Sequence, residues 1–169
     1  PYLSMRRLAS DGRSRVWSAM PTSYEIEEWN LEGEIQRSFV REVPWFKAYY
    51  YQRVVDPDSH FQSWLADIHW LGGDRILALI HVGSDDWRQH LGPAAWAGGE
   101  RYFPRWDVAN VHDTVLEVID LQSGRVLTSH RYDGYLVRFV GEHHVAGYKE
   151  DGDGNPSIEI LRFKLNGGG

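Results

Sequence analysis

Apolar and polar positions alternate in short runs along this chain, and Gly, Pro, Asp and Ser punctuate the runs. That period predicts strands rather than helices. The first group of four covers Tyr2–Leu8, Arg15–Met20, Tyr24–Leu31 and Glu34–Arg41. Turns are expected at Ser10-Asp11-Gly12, Pro21-Thr22-Ser23 and Glu32-Gly33. The second group begins with Trp64–Leu71 and Arg75–Val82, joined at Gly72-Gly73-Asp74, and ends with Thr114–Leu121 and Arg125–Tyr132. The third has only Tyr135–Val140, His143–Glu150 and Ser157–Leu165. Consecutive strands of this kind pair as antiparallel meanders. The run RILALIHV (75–82) is apolar at nearly every position, so both its faces should be covered, as in a sheet packed between two others.

Two stretches break the rhythm. Residues 42–63 contain Pro44, Pro57 and the rings Trp45, Phe46, Tyr49, Tyr50 and Tyr51. Prolines disfavour central strand positions, and the rings suit a connector buried against an adjoining sheet. A ligand-facing surface is the alternative. Residues 84–112 form a long insertion inside the second group. Asp85–Leu91 reads there as a helical turn capped by Ser84 or Asp85 and stopped by Gly92-Pro93, and the remainder as loop. Long insertions on a repeated scaffold are where recognition tends to reside. The candidate ligand-binding residues are therefore Trp87, His90, Trp96 and Trp106.

The strand groups repeat. With Leu31, Leu121 and Leu165 in register, Trp29, Ile119 and Phe163 stand two residues earlier, and Ile26, Leu116 and Ile160 five residues earlier. A Gly follows each Leu: Gly33, Gly124 and Gly167. The last step is 44 residues, the length of one four-stranded propeller blade. The first step is 90 residues, the excess lying in 42–63 and 84–112. The expected fold is all-β. It is a single partial β-propeller domain of about three four-stranded antiparallel meanders, with blades at about 2–41, 64–132 and 135–165. The last blade lacks its outer strand.

The segments YEIEEWNLEGEIQRSFVREVPWF (24–46), VLEVIDLQSGRVLTSHRYDGYLVRFVGE (115–142) and GYKEDGDGNPSIEILRFKL (147–165) carry a family likeness. The chain resembles the C-terminal part of the bacterial six-bladed β-propeller proteins, a group related to the NHL-repeat propellers. That resemblance implies a rigid binding scaffold, an extracytoplasmic setting, and blades beyond the three visible here. It carries no catalytic motif across. The function it implies is a non-enzymatic binding scaffold for a protein, peptide or glycan. The alternative is a propeller lactonase or esterase with a divalent metal in the central channel.

Composition narrows the partners. The formal charge is −6, with both signs interspersed, which argues against nucleic acid. No apolar run is long enough to span a bilayer as a helix. There is no cysteine, so disulfides and thiolate chemistry are excluded. Eight Trp and nine Tyr suit sheet packing and binding surfaces alike.

Three sets of residues bear on chemistry. Asp151-Gly152-Asp153-Gly154-Asn155 begins like a calcium loop, but Pro156 and Arg162 stand where such a loop needs Gly and Glu, so a hairpin turn is the better reading. The eight histidines show no zinc-hydrolase spacing and read as structural; His69 and His81, on adjoining strands, are candidate neighbours. Asp85 and Asp86, near His81 and His90 in sequence, are the only candidate acid–base group, and no G-x-S-x-G is present. No catalytic residue, metal ligand or cofactor is expected. With one strand missing, the edge of Ser157–Leu165 should attract another strand, and self-association is expected.

Overall fold

The structure, a computed structural model, describes residues 6–49, 61–93, 95–97, 100–102 and 107–165. It is all-β and built of antiparallel sheets. The first sheet holds β1 (Arg7–Ser10), β2 (Val16–Met20), β3 (Glu25–Trp29) and β4 (Ile35–Val40) in chain order. The second holds β5 (Trp64–Gly72), β6 (Arg75–Gly83), β9 (His112–Asp120) and β10 (Arg125–Tyr132), again as a meander. The third has β11 (Tyr135–Phe139), β12 (His144–Glu150) and β13 (Pro156–Arg162). The insertion between β6 and β9 carries a small hairpin, β7 (Ala95–Ala97) and β8 (Glu100–Tyr102).

Leu31, Leu121 and Leu165 each follow the third strand of their sheet, so the repeat register holds in three dimensions. The first strands of the sheets lie side by side, with β5 between β1 and β11. The three sheets therefore stack with the second in the middle. Ile76, Ala78, Ile80 and Val82 of β6 pack with Trp17, Tyr24 and Ile26 of the first sheet. Leu79, on the opposite face of β6, packs with Leu136 and Val145 of the third. This explains why β6 lacks alternation: each face is core. Truncating Ile80 or Leu79 to Ala would cost about 2–5 kcal/mol.

Polar clamps join the sheets as well. At the β5–β6 turn, Asp74 Oδ1 accepts from Arg15 Nη1 at 2.8 Å and from Arg37 Nη2 at 2.7 Å. Arg37 also reaches Glu28 through Nε at 2.8 Å. Between the second and third sheets, Phe139 N–H donates to Asp67 Oδ2 at 2.8 Å, and Leu136 N–H to Thr114 Oγ1 at 2.9 Å.

Several expectations are corrected. The first described strand is Arg7–Ser10, which runs past the expected end at Leu8; residues 2–5 of the expected Tyr2–Leu8 lie outside the described set. Its turn starts at Asp11, whose Oδ1 accepts from the backbone N–H of Arg13, Ser14 and Arg15. The helical turn near 85–91 is a 3-10 turn, Trp87–His90, with Asp86 at its N-cap position and no side-chain cap bond. A second helical turn, α1 (Val108–Val111), stands where loop was expected, and Asp107 caps it by accepting from Asn110 N–H. The β7–β8 hairpin also occupies expected loop. His69 and His81 are not neighbours: His69 pairs with Leu77 and His81 with Trp64, with the Leu65–Ile80, Asp67–Leu79 and Ile68–Ala78 rungs of the β5–β6 ladder between them. One expectation stands: the Asp151–Asn155 stretch is a hairpin turn, in which Asp151 Oδ1 accepts from the N–H of Asp153 and Asn155.

Candidate functional site

The strand ends at which β5, β9 and β11 begin and β6 finishes gather most of the described chain's aromatic and polar detail. Two neighbouring features lie there. One is a packed knot of rings between the second and third sheets. The other is an open cleft between the second sheet and the segment that leaves the first.

The knot is centred on His81 and His112. His81 is 1% exposed, and its Nε2 lies 2.6 Å from the carbonyl oxygen of Leu136. The ring of Tyr135 lies 4.4 Å from it, that of Trp64 4.7 Å and that of His112 6.0 Å. Nδ1 of His81 is buried without a hydrogen-bond partner among the described residues. Burial pushes the His81 pKa down to about 3, only partly opposed by the bond to Leu136, with His112 and Arg7 adding repulsion. His112 is shifted down too, by burial, while its Nδ1 sits 3.0 Å from Val108 O. Both rings are therefore neutral at physiological pH and serve as core. A neutral imidazole with one partner is tolerated in such a place, whereas a charged one is not.

The cleft has a volume of about 500 Å³. Its floor is the face of the second sheet turned toward the first: Val82 of β6, Val115 of β9, and Ser129 and Arg131 of β10. One wall is the segment after β4, with Pro44, Trp45 and Lys47. The other is the start of the insertion, with Ser84, Asp85 and Trp87, backed by Phe61. Gly83 makes the junction possible: a Cβ there would lie 2.8 Å from the Phe61 ring and 2.9 Å from that of Trp87.

Arg131 is held firmly. Its Nε donates to Asp113 Oδ2 at 2.6 Å and its Nη2 to Gly83 O at 2.9 Å. Asp85 Oδ1 lies 3.1 Å from the same Nη2, but the Asp85 side chain is 95% exposed. An exposed ion pair of that kind contributes little. Burial raises the Asp113 pKa despite the Arg131 guanidinium.

Beneath the cleft lies a buried polar network. Glu117, 1% exposed, accepts from Tyr24 Oη at 2.5 Å, Arg41 Nη2 at 3.0 Å and Ser129 Oγ at 3.2 Å. Burial, and the Glu117 carboxylate beside it, push the Tyr24 phenol strongly upward. Tyr24 adopts φ +46°, the only left-handed backbone at a non-glycine among the described residues. Such a conformation costs on the order of 1 kcal/mol, and the Tyr24–Glu117–Arg41 bonds and the tilted contact with the Phe46 ring at 5.2 Å hold it. This turn seats Trp45, whose ring centroid lies 6.3 Å from that of Tyr24.

Of the four residues expected to bind ligand, Trp87 lines the cleft, 5% exposed, with its ring edge-on to Phe61 and the Arg88 guanidinium over its face. His90 is turned to Asp86, Nε2 to Oδ2 3.3 Å, and is not part of the cleft. Trp96 stands in β7, and Trp106 lies outside the described residues. Asp85, Asp86, His81 and His90 form no common group: Asp85 faces Arg131, Asp86 faces His90, and His81 is sealed in the knot. Trp45, Lys47, Phe61 and Arg131 belong to the cleft but were not among the expected site residues. The dense rings of 42–63 were the available signal for Trp45 and Phe61. Nothing local in sequence marks Arg131.

Among the described residues, no group of three or more His, Cys, Asp or Glu side chains is placed to hold a metal ion. Among the described residues no helix is long and apolar enough to cross a membrane. Compared with known families, with curated proteins and with solved structures, the chain gives no match.

Proposed function

We propose that this chain is a partial β-propeller of three blades, related to the bacterial six-bladed group, and that it acts as a non-enzymatic binding scaffold. Its ligand is a protein, peptide or glycan, and the site is the cleft between the first two blades. One observation carries this reading. A cavity of about 500 Å³ lies beside the base of the chain's one long insertion, and aromatic surface and both signs of charge meet in it. That volume falls in the ordinary range of small-ligand sites, roughly 300–1,000 Å³. The surrounding sheets are cross-braced, so the cleft is preformed and little ordering free energy opposes binding.

The metal-dependent hydrolase alternative gains no support from the described side chains. Among the described residues no three carboxylates or histidines converge on one point, and the central histidines are packed in rings.

The test is a screen of immobilised glycans and peptides against the full chain and its Trp45→Ala variant. Binding that is lost on removing Trp45 and retained in Leu127→Ser, on the opposite face of the second sheet, supports the cleft. Binding indifferent to Trp45 places the site elsewhere.

A further inference from the structure

We propose that the cleft takes a neutral saccharide, laid against the Trp45 ring and hydrogen-bonded between Asp85 and Arg131. This rests on the binding reading above and names its ligand class.

Charge balance is the first argument. The cleft holds Lys47 and Arg131 as cations, and Asp85 at its rim and Asp113 behind Arg131 as anions. The two cations are matched by these two carboxylates, so the cleft presents no strong field of one sign. The whole chain carries −6, which further disfavours a polyanion. What the cleft does offer is an unusual density of unspent donors and acceptors. Arg131 uses Nε and Nη2 on the protein and leaves Nη1 without a partner among the described residues. Lys47 is exposed and makes no ion pair among the described residues. Asp85 is held by a single exposed contact and keeps a free oxygen. A ligand that is donor and acceptor at every carbon can use all three, and a polyhydroxylated ring is such a ligand.

Surface shape is the second argument. Trp45 is 37% exposed, and its ring is fixed from behind by Tyr24 and Phe46. A rigid, half-open indole gives large contact area at little entropic cost. It suits the flat C–H face of a pyranose, with the hydroxyls radiating outward to Asp85 and Arg131.

Peptide is the main competitor and is less well served. Extended peptides commonly add to an unpaired strand edge. Ser129 and Arg131 enter this cleft as side chains from the face of β10, so a ligand here meets side chains and not the β10 backbone edge.

Titration of the isotope-labelled full chain with neutral gluco-, galacto- and manno-oligosaccharides, followed by NMR of the indole N–H signals, tests the proposal. Parallel arms use oligogalacturonate and a mixed-sequence peptide library. The expected result is saturable binding of at least one neutral sugar. Trp45→Ala should weaken it at least about tenfold, the loss typical of a truncated central aromatic, and Trp45→Phe should restore most of it. Asp85→Asn should weaken it less, and Arg131 is left intact because it neutralises the buried Asp113. Tighter binding of oligogalacturonate overturns the neutral-ligand assignment. Peptide binding that depends on Trp45, with no sugar bound, overturns the saccharide while keeping the cleft. Sugar binding that survives Trp45→Ala overturns the cleft itself. No binding in any arm overturns both.

Discussion

His81 should make the fold acid-sensitive, and the size of the effect follows from where the ring sits. In the unfolded chain its pKa is near the ordinary 6.5, and in the fold burial lowers it to about 3. Above pH 6.5 both states are neutral at this ring and the native state bears no cost. As pH falls below 6.5 the unfolded chain takes up a proton that the native state refuses, so stability drops. The loss grows until the folded pKa is reached, with a ceiling of about 5 kcal/mol for ~3.5 pH units. At about pH 5, one and a half units below the unfolded pKa, it amounts to about 2 kcal/mol. The perturbation is His81→Gln, which keeps a donor for the Leu136 carbonyl and removes the titration. Urea unfolding of both proteins at about pH 7.5 and pH 5 gives the comparison. The variant should be less stable at the higher pH because its packing is worse. Between the two pH values the parent should lose about 2 kcal/mol more than the variant does. His112, also shifted down by burial, acts in the same direction and leaves the variant a residual slope. Parallel losses in the two proteins would refute the argument and mean that His81 becomes hydrated, or moves, before it protonates.

Glu117→Ala should destabilise by about 3–5 kcal/mol, since it strands Arg41 and the Tyr24 hydroxyl against a buried face; a shift in urea midpoint checks this. Tyr24→Phe, which deletes one hydrogen bond to that carboxylate, should cost about 1–3 kcal/mol by the same measurement. Among the described residues β13 is paired on one edge only, and Ile158 and Ile160 are 60% and 56% exposed, so the chain should self-associate at micromolar concentration. Sedimentation should show this, and Ile158→Lys with Ile160→Glu should return it to monomer. A chelator should leave the melting temperature unchanged; a fall of several degrees would point to ligands beyond the described residues.

Strand positions were legible because each depends on a local pattern. β6 announced its two covered faces through Ile76 to Val82, and the turn at Gly72-Gly73 fixed its hairpin. The Leu31, Leu121 and Leu165 register was legible because each third strand repeats the same apolar spacing. The insertion was harder. Its α1 turn depends on one Asp107 cap, and β7 and β8 are three residues each, too short to show a period. The cleft was legible only in fragments. Trp87 stood out as an aromatic in a long insertion, whereas Trp45 and Arg131, more than eighty residues apart in sequence, meet only through the packing of the first sheet against the second. Asp113 and Glu117 look like ordinary solvent-facing strand acids until the covering face is known. His90 illustrates the opposite error: in sequence it shares a segment with Trp87, yet a 3-10 turn sends it to Asp86.

The insertion leaves β6 at Gly83 and returns to β9 at His112, and these two residues are partners on one rung of the ladder. The ends of the excursion are thus fixed a strand's width apart whatever lies between them. Lengthening or replacing the stretch after the Trp87–His90 turn changes only a closure entropy, which rises by about 0.6 kcal/mol per doubling of length. The hinge pieces, Gly83 with Trp87 on one side and Val111 with His112 on the other, are packed beneath and stay put. The stretch between His90 and Asp107 is therefore an exchangeable cassette on a fixed socket, a place where new sequence can be grafted, by selection or by design, without disturbing the strand register on either side.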